Sequence, residues 1–264
     1  MIFMQKKDIV LAPIYLYQGL KLKRTAVRLP EAEGERYGSL ELASSKPNTE
    51  TDNTSTLTFM MAGDSSAAGV GVDSQHNALV GHLLNHLQTL PQITDNYTHI
   101  NWSLHATSGH TSYDVLRRLY VLPIPKTPMD VVIVLVGVND TTANVSPTQW
   151  QAQLREIIEL SKRKFGARYV LFPGLPPMQH MPAIPRPLNQ FLGAKTALMN
   201  QKLNEVCQEY DKVLALPMQF ENTGLTADEL FSIDGFHPNS TAYSFLALKL
   251  AKTLAQLVED GELA

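Results

Sequence analysis

Cysteine is nearly absent. The 264 residues contain one, Cys207, which excludes an internal disulfide framework and suits a reducing compartment, so a cytoplasmic protein is expected. Cys207 lies in the helical pattern Leu198 to Tyr210, where it reads as a small buried hydrophobe rather than a reactive thiol. An excess of one charge is also lacking: 22 Lys and Arg against 25 Asp and Glu leave a net charge of −3. That balance gives no general footing for nucleic-acid binding. Runs long enough to cross a bilayer are missing too. The apolar stretch Ile9 to Leu20 is too short, is interrupted by Pro13, and is followed by no small-residue cleavage site, so it reads neither as a span nor as a secretory signal. Lys6 and Lys7 precede it, and Lys21, Lys23 and Arg24 follow. An arm packed on the body is the expectation, with a segment held at an anionic lipid surface as the alternative.

Two further signals are incomplete. His82 and His86 share a helical face, but the glutamate that a zincin carries after the first histidine is absent and no third ligand is evident. A solvated helix face is expected there. Gly69-Val70-Gly71-Val72-Asp73-Ser74 begins like a dinucleotide loop and lacks the third glycine. No metal and no cofactor is expected.

What is present is the composition of a globular enzyme: 44% hydrophobic and 18% charged residues, in a chain long enough to bury a sizeable core. Pro30 to Ser55 is poor in apolar residues and rich in Glu, Ser, Thr and Asn. It reads as a mobile connection, because little burial is available there to offset the entropy of ordering. Residues 1–56 are thus expected to form an arm and linker, and 57–264 the catalytic body. Strands are predicted at Leu57 to Ala62, His99 to His105, Asp130 to Val136, Tyr169 to Pro173 and Lys212 to Leu216. Helices are predicted at His76 to Leu90, Ser112 to Tyr120, Pro147 to Phe165, Pro187 to Tyr210 and Asn239 to Val258. This alternation implies an α/β fold, a parallel sheet between helices.

In such sheets polar residues beyond the carboxyl ends of the strands gather into one site. Four clusters meet that demand: Gly63-Asp64-Ser65, Thr107-Ser108-Gly109-His110-Thr111, Gly137-Val138-Asn139-Asp140 and Asp234-Gly235-Phe236-His237-Pro238. Ser65, at a strand end, is a candidate nucleophile that needs a base. His237 can serve, with Asp234 three residues earlier fixing its tautomer. Such a base works only while unprotonated, so activity should fall on acidification. Acyl transfer puts negative charge on the former carbonyl oxygen. The Asn139 amide and the backbone N–H groups of Gly109 and Ser65 are candidate donors to it. Asp64 and Asp140 read as loop supports. His105 and His110 read as loop residues, with a place along the site as the alternative.

Taken together, these blocks resemble the SGNH hydrolases, also called the GDSL esterase/lipase family. The serine block Gly63 to Gly69, Gly109, Gly137-Val138-Asn139-Asp140 and the Asp234–His237 block occur in the family's order, from Leu57 to the C-terminus. Ser66 stands where leucine is common after the nucleophile. The resemblance implies a three-layer α/β/α sandwich around a parallel five-stranded sheet. It also implies ester hydrolysis through an acyl-enzyme, with Ser65, His237 and Asp234 as triad and Ser65, Gly109 and Asn139 as oxyanion hole. Lysophospholipase, thioesterase and carbohydrate O-deacetylase activities are alternatives on the same machinery, and a fold-retaining binding protein is the contrasting class. The expected partner is a small-molecule, lipid or carbohydrate ester, not nucleic acid. The proline-rich stretch Gly174 to Pro185 follows a strand at the same sheet end, so Met178, Met181 and Ile184 are expected to line the substrate pocket.

Overall fold

The computed structural model describes residues 6–43, 55–218 and 224–263. A six-stranded sheet with strand order β1-β3-β2-β4-β5-β6 forms its centre. The strands are β1 (Tyr37–Glu41), β2 (Thr56–Gly63), β3 (His99–Ala106), β4 (Val131–Leu135), β5 (Tyr169–Pro173) and β6 (Val213–Leu216). β2 to β6 are parallel, and β1 pairs antiparallel with β3. The helices are α1 (Lys6–Thr25), α2 (Leu79–Leu87), α3 (Pro91–Thr94), α4 (Ser112–Val121), α5 (Val138–Thr142), α6 (Pro147–Phe165), α7 (Leu188–Cys207), α8 (Ala227–Leu230) and α9 (Ser240–Glu259).

The three layers follow from side-chain alternation on β4, whose five residues are all buried. Val131, Ile133 and Leu135 face a core shared with Leu79 and Leu83 of α2 and Leu250 of α9. Val132 and Val134 face the opposite core, with Trp150 and Ile157 of α6. A strand covered on both sides has no polar positions, because successive side chains enter different hydrophobic layers. Burying each aliphatic side chain contributes about 1.5–3 kcal/mol. Helix α6 keeps its sequence-predicted limits because both ends are signalled locally. Ser146 caps its start by accepting from the Gln149 N–H at 3.2 Å, Pro147 follows, and Gly166 ends it in the left-handed region.

Two parts of the chain differ from expectation. The sheet has six strands rather than five, because residues 37–41 of the expected mobile connection form β1. Ordering here comes from backbone pairing to the open edge of β3, with Ala32 and Leu42 buried on either side. Further bonds fix this segment to the body, among them Gln75 N–H to Glu33 C=O at 2.7 Å. Residues 44–54 of the same expected connection lie outside the described residues. The second difference is the continuous helix α1, which runs through Pro13. Proline removes one helix hydrogen bond, but its exposed position here leaves the freed Ile9 carbonyl to water. Tyr15 of α1 stacks on Phe191 of α7 at 4.7 Å, and Gln18 bonds both the Arg186 carbonyl and the Leu188 N–H.

Candidate active site

The carboxyl ends of β2, β3 and β4 and the loop before α9 converge. After β2 the chain makes a tight turn, with Ala68 N–H donating to Asp64 C=O and Val70 N–H to Ser65 C=O, both at 3.0 Å. The turn holds Ser65 at 8% exposure. Gly71 lets it abut the His237 loop: its φ is +109°, and a Cβ there would lie 2.2 Å from the Pro238 carbonyl oxygen.

Ser65 Oγ lies 3.0 Å from His237 Nε2, and His237 Nδ1 lies 2.6 Å from Asp234 Oδ2. The other carboxylate oxygen, Oδ1, accepts the backbone N–H groups of Phe236 (2.9 Å) and His237 (3.0 Å). Burial alone would raise the Asp234 pKa, but these hydrogen bonds outweigh it and hold the carboxyl below its usual range. An ionised Asp234 fixes the proton on Nδ1 and leaves Nε2 free to accept the serine proton. A hydroxyl so placed can be deprotonated as it attacks a carbonyl.

The groups expected to face a developing oxyanion come from three loops. Among the described residues, neither the Ser65 nor the Gly109 N–H has a hydrogen-bond partner. Gly109 has φ +85° with open space where a side chain would stand. Asn139 sits on α5 just past Gly137, whose φ of +120° and close approach to Leu175 exclude a side chain. One hydrogen of its amide goes to the His110 carbonyl at 2.9 Å, which orients the side chain and leaves the second hydrogen available.

Asp140 joins two of these loops. It is fully buried and accepts the Ser112 N–H (3.1 and 3.0 Å) and Ser112 Oγ–H (2.6 Å), so the α4 start that carries the Gly109 loop is tied to α5. Burial raises its pKa, partly offset by Ser112. Asp64 is also buried, its pKa pushed up to about 7 by desolvation, with the Ser66 N–H bond opposing and the nearby Asp140 charge adding.

Sequence reasoning missed a brace from the amino-terminal segment. Glu31 Oε1 accepts the Ser108 N–H at 2.6 Å, while its Oε2 pairs with Arg36 at 2.6 Å. Arg36 in turn donates to the Ala106 carbonyl at 2.7 Å. The loop bearing Gly109 is thus held from the residue before it. No local signal marks Glu31, since its partner is 77 positions away.

A small cavity of about 30 Å³ adjoins Ser65 and His237. Of the three residues expected to line the pocket, Met181 does so. Met178 and Ile184 are instead packed in the hydrophobic cluster behind it, with Leu188 and Leu192. The cavity wall also includes Val138, Met218, Phe231 and Phe236, brought together only by the fold. His82 and His86 do not form a solvated face: their Nε2 atoms meet Ser240 Oγ (2.9 Å) and Ser244 Oγ (3.3 Å) of α9. Cys207 is buried and its thiol is pushed up to about 12 by desolvation.

Residues 61–245 match the GDSL-like lipase/acylhydrolase family. No curated protein matches the chain in sequence. Solved structures share its fold. TesA superimposes with a TM-score of 0.59 at 23% identity, over 76% of this chain and 99% of that one. The psychrotrophic esterase EstA from Pseudoalteromonas sp. gives 0.57 at 18% identity, over 76% and 98%. A carbohydrate esterase family 2 enzyme with a carbohydrate-binding domain, from Corynascus thermopiles, gives 0.60 at 13% identity, over 81% and 69%. With the match covering most of its length, the chain belongs to the GDSL-like lipase/acylhydrolase family and is a serine hydrolase of ester bonds.

Proposed function

We propose that this hydrolase cleaves short-chain carboxylic esters through an acyl-enzyme on Ser65. The hydrogen-bonded chain Ser65–His237–Asp234, at 3.0 and 2.6 Å, carries the reading. In the first half-reaction Ser65 Oγ attacks the ester carbonyl and passes its proton to His237 Nε2. The C–O bond to the alcohol then breaks, and His237 returns the proton to the leaving oxygen. Water attacks the acyl-enzyme by the same route, releasing the acid and restoring the serine. Asp234 remains ionised and stabilises the imidazolium. The N–H groups of Ser65 and Gly109 and the free amide hydrogen of Asn139 stabilise the tetrahedral oxyanion.

The cavity beside the nucleophile supports the preference for a short acyl group. Its walls are mostly apolar, and about 30 Å³ is well below the roughly 300–1,000 Å³ of a pocket that encloses a drug-sized ligand. Rates on p-nitrophenyl esters should therefore fall steeply from acetate and butyrate to octanoate. Ser65→Ala should abolish both hydrolysis and labelling by a fluorophosphonate. Turnover by Ser65→Ala, or faster cleavage of octanoate than of acetate, would refute the reading. A parallel panel of thioesters, lysophospholipids and acetylated sugars identifies the leaving group.

A further inference from the structure

Helix α1 is amphipathic in an unusual sense: the side that meets the body is partly polar and the outward side is apolar. Asp8, Tyr15, Gln18 and Leu22 lie on the inward side. Asp8 is buried and accepts the Tyr15 hydroxyl, Tyr15 stacks on Phe191, Gln18 bonds the backbone before α7, and Leu22 packs against the cluster of Met178, Met181 and Leu188. The helical period places Ile9, Val10, Leu16, Tyr17 and Leu20 on the opposite side. Their exposures are 63, 77, 65, 66 and 49%. A run of large apolar residues left in water along one helix marks a contact surface.

The charges around this surface select its occupant. Lys7 stands exposed near one end, and Lys21, Lys23 and Arg24 stand exposed at the other. None of these four makes an ion pair among the described residues. The only acidic residue on α1 is Asp8, which points inward. The chain as a whole is net negative, so the basic ends are a local feature rather than a consequence of composition. An apolar strip with basic ends, about 30 Å long for a 20-residue helix, complements the headgroup and upper acyl region of an anionic bilayer. A second copy of the chain would set the same basic residues against each other, and so fits the charge pattern less well.

We propose that α1 docks the protein on an anionic lipid surface, lying in the plane of the interface with Ile9, Val10, Leu16, Tyr17 and Leu20 inserted. The helix rests on the same hydrophobic cluster that contains Met181 of the cavity wall. A docked protein thus keeps its esterase site within one helix packing layer of the membrane.

Co-sedimentation of the full chain with phosphatidylcholine vesicles, with and without phosphatidylglycerol, tests this at low and high salt. Binding is expected to the phosphatidylglycerol vesicles at low salt, with a marked loss at high salt and on phosphatidylcholine alone. Each basic residue near an anionic surface contributes about fivefold in affinity, so Lys21→Gln, Lys23→Gln and Arg24→Gln together should weaken binding about 100-fold. Leu16→Ser with Tyr17→Ser should weaken it as well. Both variants alter exposed positions outside the catalytic machinery and should hydrolyse soluble p-nitrophenyl acetate at the parent rate. No binding to anionic vesicles, or binding unaffected by either variant, overturns the proposal. So does a dimer in sedimentation velocity that Leu16→Ser with Tyr17→Ser dissociates and that ignores vesicles.

Discussion

Asp234→Asn separates what the proposed triad carboxylate does for the loop from what it does for the imidazole. Asparagine keeps one carbonyl oxygen, so it can still accept the Phe236 and His237 N–H groups that Oδ1 accepts at 2.9 and 3.0 Å. The loop should therefore stay in place. Its NH₂ group now faces His237 Nδ1 across the 2.6 Å contact, which requires Nδ1 to be the acceptor and shifts the ring proton to Nε2. An imidazole in that tautomer cannot take the serine proton. The expected loss in kcat is on the order of 10⁴-fold, or about 5.4 kcal/mol, with little change in KM because the Asp234 side chain is only 3% exposed and meets the imidazole on the side away from Ser65. Steady-state hydrolysis of p-nitrophenyl acetate measures both constants. A second readout is stability against pH. The folded Asp234 carboxyl sits below its ordinary 3.8, so its contribution is present above that value and lost as pH falls through the lower folded value. The gap in melting temperature between parent and variant should be constant from about pH 6 to 8 and close on acidification below the ordinary carboxylate range. A kcat within tenfold of the parent, in a variant that melts normally, would refute the assignment of Asp234 as the group that sets the tautomer.

Two other substitutions probe the surrounding supports. Asn139→Ala should lower kcat by roughly 100- to 1,000-fold, about 2.7–4 kcal/mol, with a smaller effect on KM; unchanged kcat would remove Asn139 from the oxyanion hole. Asp64→Asn should become progressively more stable than the parent between pH 4 and pH 8. The folded carboxyl titrates near 7 instead of 3.8, so the parent loses stability as pH rises through that window, by up to about 4 kcal/mol. Urea midpoints at pH 5 and pH 8 measure the difference, and a parent that gains on the variant at pH 8 contradicts it.

The legible parts of this chain are those whose signals are local. Val131 to Val136 announces a doubly covered strand by having no polar position, and α6 carries its own cap, proline and terminal glycine. The polar clusters around Ser65, Asn139 and His237 could be placed because each follows a strand or precedes a helix, and parallel topology then gathers them. β1 could not be read in this way. Tyr37-Gly38-Ser39-Leu40-Glu41 has little to bury, and its order depends on an open strand edge supplied some 60 residues later. Pro13 obscured α1, since the packing of Tyr15 and Gln18 that offsets a broken helix bond is visible only in three dimensions. The cavity wall was half legible. Met181 faces it, but Met178 and Ile184 point into the layer behind, because the stretch coils through a short 3-10 turn at Met178–His180. Spacing along the sequence does not fix which side chain of such a turn faces inward.

The contact between Glu31 and the Ser108 amide reaches outside the span that matches the family, which opens only at residue 61. A chain shortened to residues 61–245 would retain Ser65, Gly109, Asn139, Asp234 and His237, yet lose β1, most of β2 and the anchor of the glycine turn. Sequence homology and mechanical support therefore have different borders in this enzyme, and trimming by the first would leave the proposed reactive groups on an unsecured frame.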